Sequence, residues 1–112
     1  MSEQISNTKF KRNTSKPSPF GMELGKIPPQ ALELEEAVLG ALLLEKKAVD
    51  DVIDILSPDS FYKDAHQKIY TAIQNLFGKG EAIDILTVTQ ELRQTGELDY
   101  VGGAYYISQL TN

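Results

Sequence analysis

Few of the 112 residues are of types that could carry chemistry, and their spacing argues against most of the reactions those types allow. His66 is the single histidine and there is no cysteine, so a cysteine nucleophile, a cysteine metal site and a disulfide framework are all excluded. A serine nucleophile activated by His66 and an aspartate is formally available, but no G-x-S-x-G turn is present to expose one. His66 stands beside Ala65 and Ile69 at the start of an apolar stripe, and reads as a structural histidine, hydrogen-bonded near a helix start. Asp50, Asp51 and Asp54 could gather a cation. A calcium loop, however, needs alternating oxygen ligands and a glycine on a loop, whereas these three read as the solvated outer face of a helix. Gly78-Lys79-Gly80 lacks the G-x-x-x-x-G-K-[ST] phosphate-loop pattern, and Gly102-Gly103 is too short for a dinucleotide fingerprint. These glycines read instead as a helix end and as a point of positive φ or close backbone approach. The expectation is a non-enzymatic domain with no catalytic, metal or cofactor-binding residues.

The elements that would hold these residues follow from composition and periodicity. A length of 112 residues with 41% hydrophobic content supplies one domain with one modest core. The net charge of −5 is unevenly spread: residues 1–26 carry five basic residues against two acidic, +3, and the remainder six against fourteen, −8. Binding a phosphate backbone relies on clustered Lys and Arg, so the acidic body speaks against a nucleic-acid surface and suits docking of basic partners. Residues 1–26, rich in Ser, Thr, Asn, Lys and Pro without a period, read as a disordered basic leader. The leader lacks a secretory apolar core. No run approaches the roughly 20 apolar residues that span a membrane, so a cytoplasmic location is the default.

From residue 27 onward the pattern is helical, an all-α bundle of about five to six short helices. Leu34, Val38, Ala41 and Leu42 form one helix face, widened by Leu32, Leu39 and Leu43. A helix so broadly apolar must be largely buried or contacted on two sides. Glu33, Glu35 and Glu36 fall in its first turns, where negative charge complements the helix dipole. A second helix reads from about Ala48 to Leu56, stopped by Ser57-Pro58. A third is predicted to start at Asp64 as N-cap and to carry Ala65, Ile69, Ala72, Ile73 and Leu76 inward before Gly78 and Gly80 end it. Thr87 and Gln90 have capping-box spacing for a fourth, running to Gly96. Asp84 and Asp99 read as local caps or turn formers. A last segment follows Gly102-Gly103 with Tyr106, Ile107 and Leu110 on one side. Phe61, Tyr62, Ile69 and Tyr70 read as core. On a helix Tyr105 points about 200° away from Ile107, so one of the adjacent tyrosines belongs near the surface.

A series of markers runs through residues 27–112: Ile27-Pro28-Pro29-Gln30, Glu35-Glu36-Ala37-Val38-Leu39-Gly40, Phe61-Tyr62, His66 with Ile69-Tyr70, Ile83-Asp84 with Thr87-Val88, Gly96-x-Leu98, and Gly102-Gly103 with Tyr106-Ile107 and Leu110. In order and spacing it resembles the amino-terminal domain of the DnaB-family replicative DNA helicases. The resemblance implies a collar domain of a hexameric, ATP-dependent 5′–3′ helicase of DNA replication. Within the hexamer such domains pair as a trimer of dimers. The collar docks the carboxyl-terminal domain of primase within the primosome, or alternatively serves a helicase loader or replication initiator. ATP and Mg are expected to belong to a separate carboxyl-terminal motor domain outside these residues. The helical hairpin that drives much of the dimer pairing would also lie outside them, so a monomer or weak dimer is expected. Glu33 and Tyr106 are the expected partner-binding residues, with Tyr105 beside them. Two features depart from the family pattern: the longer basic leader, and Tyr105, which stands where a small residue is frequent.

Overall fold

The computed structural model describes residues 28–112, and among these every regular element is helical. The expected leader, 1–26, lies outside the described residues. The core and the candidate site lie within the unit Glu33–Asn112.

Helix α1, Pro29–Leu44, opens on a proline, whose missing N–H and fixed φ suit a first helical position. Glu33, Glu35 and Glu36 therefore sit in its second turn, and no acidic residue occupies the first. The dipole effect decays within the first turn, so compensation of the helix dipole does not account for them. α2, Lys46–Val52, begins earlier and ends sooner than its apolar period predicts. Turn hydrogen bonds, Ile53 N–H to the Val49 carbonyl and Leu56 N–H to the Val52 carbonyl, both at 2.9 Å, carry the chain on to Leu56. Pro58–Ser60 then forms a single 3-10 turn.

Helix α3, Asp64–Gly78, is the central element, and its predicted stripe is buried throughout. Its N-cap is Lys63, with no cap from its own side chain, so Asp64 is the first helical residue and not the cap. The Asp64 carboxylate instead accepts the Tyr100 hydroxyl hydrogen bond. At the other end Gly80 takes φ 71°, and the Glu81 N–H reaches back to the Leu76 carbonyl at 3.0 Å, closing the helix through a left-handed residue.

α4, Ile85–Gln94, is capped by Asp84, not by Thr87. The Asp84 carboxylate accepts the Thr87 N–H, and the Thr87 hydroxyl accepts the Asp84 N–H, both at 2.9 Å. The box is thus displaced three residues toward the amino terminus from the predicted Thr87–Gln90 pair. Removing an N-cap typically destabilises by about 1 kcal/mol. Asp84→Ala is therefore expected to lower the thermal midpoint by about 4–8 °C in a melt followed by circular dichroism, while Gln90→Ala leaves it unchanged.

Two short helices complete the unit. α5, Leu98–Val101, is a single turn not foreseen as a separate element, and α6, Gly103–Gln109, follows directly. The joint is Gly102 at φ 115°, where an added Cβ would lie 2.8 Å from the Tyr106 Cβ. Leu39, Leu42 and Leu43 of α1, Ile69, Tyr70, Ile73 and Leu76 of α3, Val88 and Leu92 of α4, and Ile107 of α6 form the core. The Tyr70 hydroxyl is satisfied by the Leu56 carbonyl at 3.1 Å. Tyr62, read as core, is 55% exposed. α1 and α6 meet at backbone distance, since a Cβ added to Gly40 would stand 2.0 Å from the Leu110 carbonyl oxygen.

Candidate functional site

The expected docking residues sit around a polar chain that crosses the domain from α1 through the head of α3 to α6. Its centre is His66, which has no solvent exposure. Nδ1 lies 2.7 Å from Glu35 Oε1, and Nε2 lies 2.6 Å from the Tyr106 hydroxyl. An ionised carboxylate only accepts, so Nδ1 carries the proton donated to Glu35. In the neutral ring Nε2 is then the acceptor, and the Tyr106 hydroxyl donates to it. The rings of His66 and Tyr106 also stack, 6.0 Å apart and 9° from parallel.

Both ends of the chain are tied further. Glu35 accepts from the backbone N–H groups of Tyr62, at 2.5 Å, and Lys63, at 3.3 Å. It thereby ties the two residues that lead into α3 to α1, and its negative charge lies at the positive end of the α3 dipole. At the other end the Lys63 ammonium lies 4.8 Å above the Tyr106 ring and donates to its hydroxyl at 3.4 Å. The Glu36 carboxylate stands 3.3 Å from the same hydroxyl. The single phenolic proton serves His66 when the ring is neutral. If His66 is protonated, Nε2–H donates and the hydroxyl can turn to Glu36. Burial, then the charge and hydrogen bond of Glu36, and then the charge of Glu35, push the Tyr106 phenol up to about 12. Its hydroxyl therefore stays protonated through the neutral range. Its stabilising contribution is complete below pH 10, the ordinary tyrosine value, and is lost as pH rises through about 12.

The three expected docking residues fall into two environments. Tyr106 is half-buried with its hydroxyl committed inward, so it offers a partner part of its ring and no free hydroxyl. Tyr105 is 75% exposed on the opposite side of α6, as its angular offset requires. Glu33 is exposed one turn before Glu36 on α1, and positions three apart share a helix face. Because Glu36 meets Tyr106, Glu33 and the start of α6 border one region. Sequence reasoning found His66 and Tyr106 but missed Glu35, the partner of His66, and Glu36 and Lys63, the partners of Tyr106. The Glu35-to-His66 separation of 31 residues gave no local signal, since only packing of α1 on α3 brings them together. Among the described residues no group of three or more His, Cys, Asp or Glu side chains is placed to hold a metal ion, and no described helix is long and apolar enough to cross a membrane.

Comparison with known proteins bears on these residues directly. Residues 27–112 match the sequence model of the DnaB-like helicase N terminal domain. The chain is 51% identical over 89 residues to the replicative DNA helicase DnaB of Rhodothermus marinus, which covers 80% of this chain and 10% of that protein. It is 45% identical over 87 residues to the replicative DNA helicase DnaC of Bacillus subtilis (strain 168), covering 78% of this chain and 19% of that one. The crystal structure of the N-terminal domain of DnaB helicase from Mycobacterium tuberculosis superposes with a TM-score of 0.71 at 48% identity, over 75% of this chain and 61% of that one. The chain thus spans about a tenth to a fifth of the length of these two helicases.

Proposed function

The chain belongs to the DnaB-like helicase N-terminal domain family, and from that premise we propose that it is the non-catalytic docking domain of a replicative DNA helicase. In this reading it forms part of the helicase collar and receives the carboxyl-terminal domain of primase, while ATP hydrolysis and DNA translocation belong to a motor domain elsewhere in the parent protein. The observation that carries the proposal is the match of residues 27–112 to an amino-terminal helicase domain. The surface chemistry supports it. Tyr105 offers a large exposed ring, the kind of side chain that dominates interface energetics. Glu33 adds an exposed carboxylate able to steer a basic partner. The rigid hydrogen-bonded base under Tyr106 holds the start of α6 in place, which lowers the ordering cost of binding.

Calorimetric titration with the carboxyl-terminal domain of the cognate primase tests the proposal. Tyr105→Ala is expected to weaken binding by about tenfold or more, as for an interface anchor. Glu33→Ala should weaken it by about two- to fivefold, mainly through slower association that salt masks in the parent. Tyr106→Ala is read beside its thermal melt, because it also breaks the buried chain. Absence of primase binding, with saturable binding of a helicase loader to the same chain, would replace primase by the loader as the partner.

A further inference from the structure

The sequence of α1 is apolar on more sides than the fold covers. Leu39, Gly40, Leu42 and Leu43 face the core. On the opposite side Leu34, Ala37, Ala41 and Leu44 are all exposed, the two leucines by 61% and 64%. Their spacing of three, four and three residues places them on one stripe within about 80° of the helix circumference. This is the alternation of a seam between two packed helices, and the alanines at its centre allow close backbone approach. Lone exposed leucines are ordinary on a protein surface, but a continuous apolar stripe along three turns is not.

The stripe has charged borders and an open end. Glu33 flanks it on one side and Glu45 on the other, both exposed. Beyond Leu44 it runs into a groove of about 550 Å³ between the end of α1, α2 and the loop after α3. Leu43 and Val49 form the groove floor, and the partly exposed Phe77 forms a wall. Asp50, Glu81 and Asp84 outnumber Lys46 on its lining. Its volume falls in the range of roughly 300–1,000 Å³ that accommodates a bound group.

We propose that this face is a docking seam for an amphipathic helix of a partner protein, one whose apolar stripe is bordered by lysine or arginine and whose end places a large apolar side chain in the groove. The borders choose the occupant. A second copy of α1 would set Glu33 and Glu45 against the same carboxylates, and like charges across an interface are unfavourable. A nucleic acid would meet an acidic rim. A cationic amphipathic helix satisfies both the apolar stripe and its charged edges, the helix-in-groove mode of recognition. The seam borders the docking site proposed above at Glu33 but does not depend on it, because its other residues lie up to about 16 Å further along α1.

Two fluorescein-labelled 21-residue helical peptides provide the probes. Both carry leucine and alanine at the seam positions, one flanked by lysine and the other by glutamate. Fluorescence anisotropy with the full chain is expected to show saturable binding of the lysine peptide only. Ala41→Glu and Leu44→Glu should each weaken it by about tenfold or more, whereas Gln90→Ala, on an exposed part of α4, should not. Both substitutions are at exposed positions, and circular dichroism melts confirm that the variants remain folded. Tyr105→Ala should leave peptide binding intact, which separates failure of the seam from failure of the primase reading. Equal binding of both peptides, or binding indifferent to the Ala41 and Leu44 changes, would overturn the proposal. So would a concentration-dependent dimer in light scattering that Leu44→Glu abolishes, since the occupant would then be a second copy.

Discussion

Gly40→Ala is expected to be the most destabilising single methyl that can be added to this domain. The new Cβ would lie 2.0 Å from the Leu110 carbonyl oxygen and 3.0 Å from its carbon, both backbone atoms that cannot rotate away. Real Cβ atoms essentially never come within 3.0 Å of a neighbour, so α1 and the end of α6 must separate. That separation opens the packing of Leu39, Leu43 and Ile107, all buried. Overpacking a well-filled interior costs about 1–3 kcal/mol and occasionally more, and this clash falls at the upper end. Alanine also favours the helix by up to about 1 kcal/mol over glycine, so the measured loss is the clash less that gain. A net loss of about 2 kcal/mol would shift the midpoint by roughly 8–16 °C at this size. Gly78→Ala is the matched control: it ends α3 at negative φ with nothing within 4 Å of an added Cβ, and should be neutral or slightly stabilising. Equal midpoints for the two variants would mean that α1 and α6 are not in backbone contact in solution.

The second large effect is expected at His66. His66→Ala removes a fully buried ring, takes one partner from the Glu35 carboxylate and leaves the Tyr106 hydroxyl without its nearest acceptor. A buried polar group left without its partner costs about 1–3 kcal/mol, and the vacated ring volume adds to that. A total of about 3 kcal/mol or more follows, read as a shift in urea midpoint at unchanged slope. Tyr106→Phe removes only the hydroxyl and should cost about 1–2 kcal/mol. Since the two residues are in contact, the double variant should be less destabilised than the sum, by a coupling of about 1 kcal/mol or more. Strict additivity would show that the rings pack side by side without the hydrogen bond mattering.

Both effects rest on contacts between distant segments, which marks how far the sequence could be read. The stripe of α3 was legible because its period, its length and its terminal glycines all agree, and Ala65, Ile69, Ala72, Ile73 and Leu76 are buried as expected. Caps were less legible. Asp84 reads as a local cap and is one, through its box with Thr87, whereas Asp64 also reads as a cap and only tertiary structure assigns it to Tyr100. α5 is a single turn of four residues, too short to show a period. Tyr62 was drawn inward by its neighbour Phe61, but successive residues in the extended stretch before α3 point to opposite sides. In the candidate site, the tyrosine pair was separable by angle alone, whereas Glu35 was not, because its role depends on a helix 28 residues further on. The helix face expected to pack, Leu34, Val38, Ala41 and Leu42, is split instead: Leu42 is buried, Val38 half-buried, and Leu34 and Ala41 exposed, because α1 meets the core on one side only, through Leu39, Gly40, Leu42 and Leu43.

The tie that Glu35 makes between α1 and the lead-in to α3 has a consequence for how the domain comes apart. α3 has no cap from the Lys63 side chain, its lead-in is held by Glu35 of α1, and α1 is in turn fixed against the end of α6 at Gly40. Loss of either neighbour takes a hydrogen-bond partner, Glu35 or Tyr106, from the buried His66 imidazole. The unit from Glu33 onward is therefore expected to unfold as a single cooperative step.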